Sequence, residues 1–237
     1  MKVLVTGVTG QLGSEVAARF RQLGHEVIAA DRQVLYFLQP ARSAAVIRAQ
    51  QPDWVINCAA YTQVDKAESE PGQAFTVNRD TPAQLAQAVA EYDGQLLQLS
   101  TDFVVDGTQT RPYVEDDATN PLGVYGSSKL AGEQAVQREL PAAVILRTAW
   151  VYGVHGHNFV KTMLRLATAG KPLRVVSDQR GTPTWTSDIV AAIVALVDQQ
   201  AGGVYHFTAS GETSWHGFAS AILEEAAKAG FKIRTAK

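Results

Sequence analysis

The chain has 237 residues, 46% hydrophobic and 19% charged, with a formal net charge of -2, an ordinary globular composition long enough for one large domain or a domain with a smaller lobe. Its Lys and Arg residues are scattered, which excludes a basic nucleic-acid-binding stripe, and its longest wholly apolar run, residues 189–197, falls far short of the ~20 residues that span a bilayer. The chain opens on Met-Lys-Val-Leu-Val without a signal-peptide pattern, and its one cysteine, Cys58, cannot form an intrachain disulfide. The expectation is a reducing, cytoplasmic setting with no nucleic-acid or membrane partner.

In chain order, residues 3–6 (Val-Leu-Val-Thr) read as a buried strand. Residues 11–23 follow as a helix, with Leu12, Val16, Phe20 and Leu23 on one stripe and Gly24 as its stop. A second strand is predicted at 27–30, a helix at 41–50 and a third strand at 54–57. After an irregular stretch, residues 71–92 carry a long helical pattern, and 96–99 form a fourth strand. Residues 106–123, rich in Gly, Pro, Asp, Asn and Thr, read as a long ordered loop, and such loops in compact domains are often functional. A helix at 125–139 and a fifth strand at 143–146 follow. Beyond Trp150 the periodicity is less regular. Helices are predicted at 158–169, 188–197 and 214–229, with a short strand at Arg174-Val-Val. Strands alternating with helices predict parallel βαβ units in an α/β, Rossmann-type doubly wound parallel sheet. The expected division is a dinucleotide-binding domain over 1–150, then a segment 151–237 mixing the last sheet elements with a small, partial substrate lobe.

Gly7-Val-Thr-Gly-Gln-Leu-Gly13 lies directly between the first strand and the first helix. Glycines there let the backbone turn tightly and approach a pyrophosphate, while the helix N-terminus offers free N–H groups and a positive dipole end. Gly7, Gly10 and Gly13, with Gln11 and Leu12, are the candidate pyrophosphate site. The Gly-x-x-Gly-x-x-Gly spacing is one residue wider at its start than the usual fingerprint. Asp31 ends the second strand, eighteen residues past Gly13, where an acid holds the adenosine ribose hydroxyls. Arg32 follows and suits a 2′-phosphate. Asp31 points to NADH and Arg32 to NADPH, and both cofactors stay open.

Tyr125-Gly-Ser-Ser-Lys129 places a phenol and an ammonium on one helical face. A neighbouring cation favours phenolate, so Lys129 is expected to make Tyr125 a usable proton donor and acceptor near neutral pH. Ser100-Thr101-Asp102 ends the fourth strand, where ligands of open α/β sheets bind. Thr101 is placed to hold a carbonyl oxygen and share a proton with Tyr125. No His, Cys, Asp or Glu spacing completes a metal site.

These residues together resemble the extended short-chain dehydrogenase/reductase family across nearly the whole chain. The resemblance narrows to its dTDP-4-dehydrorhamnose reductase branch at Ala59-Ala-Tyr-Thr-Gln-Val-Asp-Lys-Ala-Glu-Ser-Glu-Pro71, Ser100-Thr-Asp-Phe-Val, Pro121-Leu-Gly-Val-Tyr-Gly126, Arg147-Thr-Ala-Trp-Val-Tyr-Gly153, Asn158-Phe-Val-Lys-Thr-Met163 and Asp178-Gln-Arg-Gly-Thr-Pro-Thr184. Asp102-Phe103 stands where related dehydratases carry Asp-Glu, which argues against dehydration. The resemblance implies hydride delivery from NADPH or NADH to the C4 ketone of a dTDP-6-deoxy-4-keto-L-hexose, with Tyr125, Lys129 and Thr101 catalytic. It implies cofactor contacts at Ala60, Tyr61, Thr62, Leu99 and Phe37, and sugar-nucleotide contacts at Thr101, Asp102 and Trp150. Trp150 as a core aromatic, and Asn158 as either a phosphate contact or a helix N-cap, stay open.

Some members of the family form Mg²⁺-bridged dimers, so a homodimer stays open as well. Glu15 matches one bridging position, but the companion is Ser187, so no metal is carried over. The chain stops at Lys237, before a Pro, Arg and Asn segment usual in the family, so the expected lobe is truncated or incomplete. A non-catalytic regulatory subunit, or a reductase or epimerase of another sugar nucleotide, are the alternatives.

Overall fold

The computed structural model describes residues 1–170 and 172–233. Its centre is a six-stranded, wholly parallel sheet of β1 (Lys2–Thr6), β2 (Glu26–Ala30), β3 (Trp54–Asn57), β4 (Gln95–Thr101), β5 (Val144–Thr148) and β9 (Gly203–His206), in the order β2-β1-β3-β4-β5-β9. Between them run α1 (Gln11–Gln22), α2 (Pro40–Gln50), the single turns α3 (Val64–Ala67) and α4 (Pro71–Phe75), α5 (Thr81–Ala90) and α6 (Val124–Glu139). A π-helical turn, Thr76–Asp80, joins α4 to α5, and a 3₁₀ turn, Asp102–Val104, follows β4.

The period-two alternation of the strands sends side chains to two cores. Val3, Val5, Ile56, Leu97 and Leu146 face one side and meet Val16 and Phe20 of α1 and Ile189 and Ile193 of α8 (Thr186–Asp198). Leu4, Val55, Leu96 and Ile145 face the other and meet Ile47 of α2, Leu85 and Val89 of α5 and Val136 of α6. Helices thus cover both faces, as a parallel sheet requires. The chain leaves β1 for β2 in one direction and reaches β3 on the other side of β1. That reversal opens a crevice at the carboxyl ends of β1 and β3, where ligands of such sheets bind.

Past β5 come the two-residue strands β6 (Val151–Tyr152), β7 (Arg180–Gly181), β8 (Thr184–Trp185) and β10 (Thr213–Ser214) and the helices α7 (Phe159–Thr168) and α9 (Trp215–Lys228). β6 pairs with β8, and β10 with β7. The strand expected at Arg174-Val-Val does not form. Among the described residues no strand edge meets it, and the Val176 carbonyl instead accepts from the His216 amide at the start of α9 (2.9 Å). The sixth strand of the sheet is β9, which has no predicted counterpart. It is four residues long, and the Gly203 amide donates to the Ala143 carbonyl (3.0 Å) to set it beside β5.

Phe20 is fully buried between the sheet and α8. We predict that Phe20→Ala leaves a cavity and lowers stability by about 3–5 kcal/mol, as read from urea unfolding. A loss below about 1 kcal/mol would contradict this packing.

Candidate active site

The glycine turn is shaped by steric necessity. Gly7 has φ +66°, a left-handed conformation that suits glycine, and the Gly10 amide donates to its carbonyl (2.8 Å). A Cβ on Gly13 would lie 2.4 Å from the Gly7 oxygen, and one on Gly7 would lie 2.9 Å from the Ala59 nitrogen. The turn is therefore wedged into the β1–β3 crevice. Gly10 is the N-cap of α1 and supplies no side-chain acceptor, so nothing caps the first N–H groups, those of Gln11, Leu12 and Gly13. Uncapped donors, a dipole end and a cradle a Cβ would fill make a fit for the pyrophosphate of a dinucleotide. Asn158 closes over the turn: its Nδ2 donates to Gln11 Oε1 (2.9 Å) and to the Gly153 carbonyl (2.8 Å). Its Oδ1 accepts from the Lys161 amide, so of the two roles left open for Asn158 the structure displays the helix N-cap of α7.

At the end of β2, Asp31 Oδ1 accepts from the amides of Gln33 and Val34 (2.8 and 3.2 Å), while Oδ2 has no partner among the described residues. Arg32 is exposed beside it. Phe37 is half-buried, packs against the second core and offers its carbonyl to Thr81 Oγ1 (2.6 Å). After β3, the backbone of Tyr61 bonds both ends of the Asn78 amide (2.8 and 3.1 Å), and its hydroxyl donates to Glu70 (2.7 Å). Ala60 and Tyr61 are half-buried, and Thr62 is exposed.

Tyr125 and Lys129 sit on the first turns of α6. This helix starts at Gly123 without a side-chain cap of its own, and Glu68 supplies one, accepting from the Val124 amide (2.7 Å). A carboxylate there also complements the helix dipole. Further along, α6 crosses the π turn so closely that a Cβ on Gly132 would fall on the Asn78 carbonyl. Asn78 Nδ2 donates to Ser128 Oγ (3.0 Å), beside Lys129. Glu68, Asn78 and Gly132 escape sequence reading: the first lies in the quoted Ala59–Pro71 stretch without a visible target, and the others look like ordinary helix residues.

Lys129 is buried, and its Nζ donates to the Leu99 carbonyl (2.6 Å). That carbonyl also accepts from Gln98 Nε2 (2.8 Å), which ends a buried chain: Thr6 Oγ1 donates to Asn57 Oδ1 and Asn57 Nδ2 to Gln98 Oε1, both at 2.6 Å. One turn on from Lys129, Glu133 pairs with Arg147 (2.7 Å), both buried. Arg147 Nη1 lies 3.2 Å from His206 Nε2, and the His206 amide donates to Glu115 of the 106–123 loop (2.7 Å). Burial lowers Lys129 to about 8.

The expected lowering of Tyr125 is not what the structure displays. Tyr125 is half-buried beside Thr101 and Asp102, and burial pushes the phenol up to about 12. Lys129 does not offset this because its charge is turned to the Leu99 carbonyl and to Glu133. Phe103 meets the Tyr125 ring edge-on at 5.4 Å. Thr101 Oγ1 donates to Asp102 Oδ1 (3.0 Å) and accepts from the Phe103 amide (3.2 Å), which ties the strand end into the 3₁₀ turn. The buried hydroxyls of Ser100 and Thr148, at neighbouring strand ends, have no partner among the described residues.

Trp150 follows β5 with φ +47°, a strain of about 1–3 kcal/mol for a bulky residue. It is half-buried and stacks on Trp215 with centroids 3.6 Å apart. Glu15 accepts from Thr186 Oγ1 (2.6 Å) and Ser187 Oγ (3.1 Å), so the companion position serves as a hydroxyl donor. Among the described residues no group of three His, Cys, Asp or Glu side chains gathers as a metal site, and no helix is long and apolar enough to cross a membrane.

The glycine turn at the β1–β3 crevice, with Thr101 ending β4 and Tyr125 and Lys129 on the helix after it, defines a Rossmann-type dinucleotide-binding fold of the short-chain dehydrogenase/reductase class. Comparison with known proteins narrows the class. The family model described as RmlD substrate binding domain matches residues 1–237. A dTDP-4-dehydrorhamnose reductase of Burkholderia thailandensis is 43% identical over 232 residues, covering 94% of this chain and 78% of the relative. The structure of a dTDP-4-dehydrorhamnose reductase from Clostridium acetobutylicum superposes with a TM-score of 0.93 at 38% identity, covering 100% of this chain and 83% of that one. One from Bacillus anthracis, in complex with NADP, gives 0.92 at 33% identity, with 100% and 87% covered. The chain belongs to the dTDP-4-dehydrorhamnose reductase family.

The depressed Lys129 has a consequence for stability. Between about 8 and the ordinary 10.5 the unfolded chain holds a proton on this residue that the folded chain has released. Stability therefore rises with pH through that window, and the burden of the buried charge is greatest below about 8. We predict that Lys129→Met is less sensitive to pH there, so the gap between its urea midpoint and that of the wild type changes as pH rises from 8 towards 10. Parallel midpoints across that range would show that the ammonium is not depressed.

Proposed function

We propose that this protein uses NADPH or NADH to reduce the C4 ketone of dTDP-4-dehydro-L-rhamnose to dTDP-L-rhamnose. The observation that carries the reading is the meeting of Tyr125 and Thr101 beside buried Lys129 at the carboxyl end of β4. Bound there, the dihydronicotinamide supplies one hydride to the ketone carbon. Gly7, Gly10, Gln11, Leu12 and Gly13 hold the pyrophosphate, and Asp31 with Arg32 the adenosine ribose. Asp31 Oδ2 suits free ribose hydroxyls and Arg32 a 2′-phosphate, so both forms of the cofactor fit.

Tyr125 is the proton donor. A phenol held near 12 is fully protonated at neutral pH, the state a reduction needs when an alkoxide forms beside it. The Thr101 hydroxyl holds the carbonyl oxygen in reach. Lys129 uses one N–H on Leu99, and its remaining donors hold the nicotinamide ribose. Asp102 and Trp150 contact the sugar nucleotide. In this reading residues 1–150 carry the cofactor, and residues 151–237 add the last strand and the substrate side. A reducing cytoplasmic setting suits the lone thiol of Cys58.

We predict that the protein oxidises NADPH or NADH when given dTDP-4-dehydro-L-rhamnose, and that Tyr125→Phe lowers kcat about 10²–10⁴-fold while the dinucleotide still binds. A Tyr125→Phe variant with wild-type turnover would remove the role assigned to that residue. A wild type that turns over other 4-keto sugar nucleotides but not this one would remove the substrate.

A further inference from the structure

We infer that Trp215 is a positioning residue for the sugar-nucleotide end of this site: by stacking on Trp150 it fixes the aromatic plate that meets the substrate. The inference rests on the reduction proposed above and on the contact that reading gives to Trp150.

Two segments distant in sequence converge on the Trp150 indole. Trp150 is held in a left-handed backbone conformation, its carbonyl accepting from the Thr184 amide (3.2 Å). Trp215 covers its ring in a near-parallel stack, 10° between planes. Gly181 fits against the Nε1–Cε2–Cζ2 side of the indole, where a Cβ would lie 2.5 to 2.8 Å from those atoms. The β7–β10 ladder sets Gly181 opposite Thr213, which delivers Trp215, the first residue of α9, onto the ring. Ser214 caps that helix, accepting from the Gly217 amide (3.0 Å), and Phe159 buttresses Trp215 with centroids 4.6 Å apart.

A tryptophan needed only to fill a core has no use for a strained backbone or for half-exposure. Both make sense where a flat apolar face must be offered at a fixed angle to a deoxy-sugar ring or a pyrimidine. A plate already held by a second indole loses little rotamer freedom when a ligand docks, and preorganisation of this kind raises affinity. Sequence reading had no route to Trp215, since its partner lies 65 positions away and the stack exists only once the β7–β10 ladder forms.

The test uses the full chain with Trp215→Leu, Trp215→Phe and Gly181→Ala. Trp215→Leu is expected to raise KM for dTDP-4-dehydro-L-rhamnose about three- to tenfold, the range an aromatic pair commands. NADPH affinity should stay within about twofold, because the glycine turn is untouched. Trp215→Phe should recover part of the loss. Gly181→Ala displaces the Trp150 ring while sparing α9, and should raise KM in the same way even where Trp215→Leu folds poorly. Near-ultraviolet circular dichroism should show the coupled signal of two stacked indoles in the wild type and lose it in Trp215→Leu. Wild-type KM in both Trp215→Leu and Gly181→Ala, or no coupled signal in the wild type, overturns the positioning role. A wild type that does not turn over this substrate overturns the proposed reaction and this role with it.

Discussion

A buried ammonium has to be matched by acceptors, and the rest of the site is arranged around that requirement. Lys129 is withdrawn from water, a position of several kcal/mol of desolvation unless it is paired. The Leu99 carbonyl at the end of β4 is its direct acceptor, and Glu133 one helical turn away supplies opposite charge. Neither is free to move. The Leu99 carbonyl is also held by the Gln98 amide, at the end of a hydrogen-bonded chain that runs through Asn57 to Thr6, the residue before the glycine turn. Glu133 is locked to Arg147. The β1–β3 crevice and α6 are therefore joined by a continuous chain of hydrogen-bonded polar groups.

The same logic explains the close seating of α6. Gly132 lets the helix lie on the π turn that carries Asn78, and Glu68 reaches from the loop after β3 to cap the turn that carries Tyr125. Segments that follow β3 and β4 thus fix one phenol. With Lys129 committed elsewhere, the phenol keeps its proton, which fits a group that must give a proton up to a newly formed alkoxide.

The 106–123 loop joins this arrangement at its far end. It leaves the strand end that holds Thr101 and returns to the helix that holds Tyr125. Asp106 gathers Thr108, Tyr113 and Asn120 around one carboxylate and is held well below the usual carboxylate range by those donors. Glu115 then fastens the loop to β9 through the His206 amide, and the His206 ring touches Arg147. The sheet's last strand, which follows the segment with the weakest sequence pattern, is thus tied to the polar cluster behind Lys129.

Sequence alone determined the features whose physics is local. Period-two alternation and helical stripes set the parallel α/β architecture. The strand–glycine–helix order placed the tight turn between β1 and α1, because it needs left-handed and close-packed positions that only glycine fills. Tyr125 and Lys129 share a helix face by spacing, and the quoted motifs pointed to the family. Tertiary structure decided what depends on partners far along the chain. Arg174-Val-Val is strand-like in composition but meets no edge, whereas the unpromising β9 does. The phenol is raised, because burial outweighs a cation whose charge is already matched by Leu99 and Glu133. Trp150 becomes half of a stack through a partner that no periodicity links to it. Propensity and spacing act over a few residues, while burial, charge pairing and ring stacking are settled only when distant segments meet.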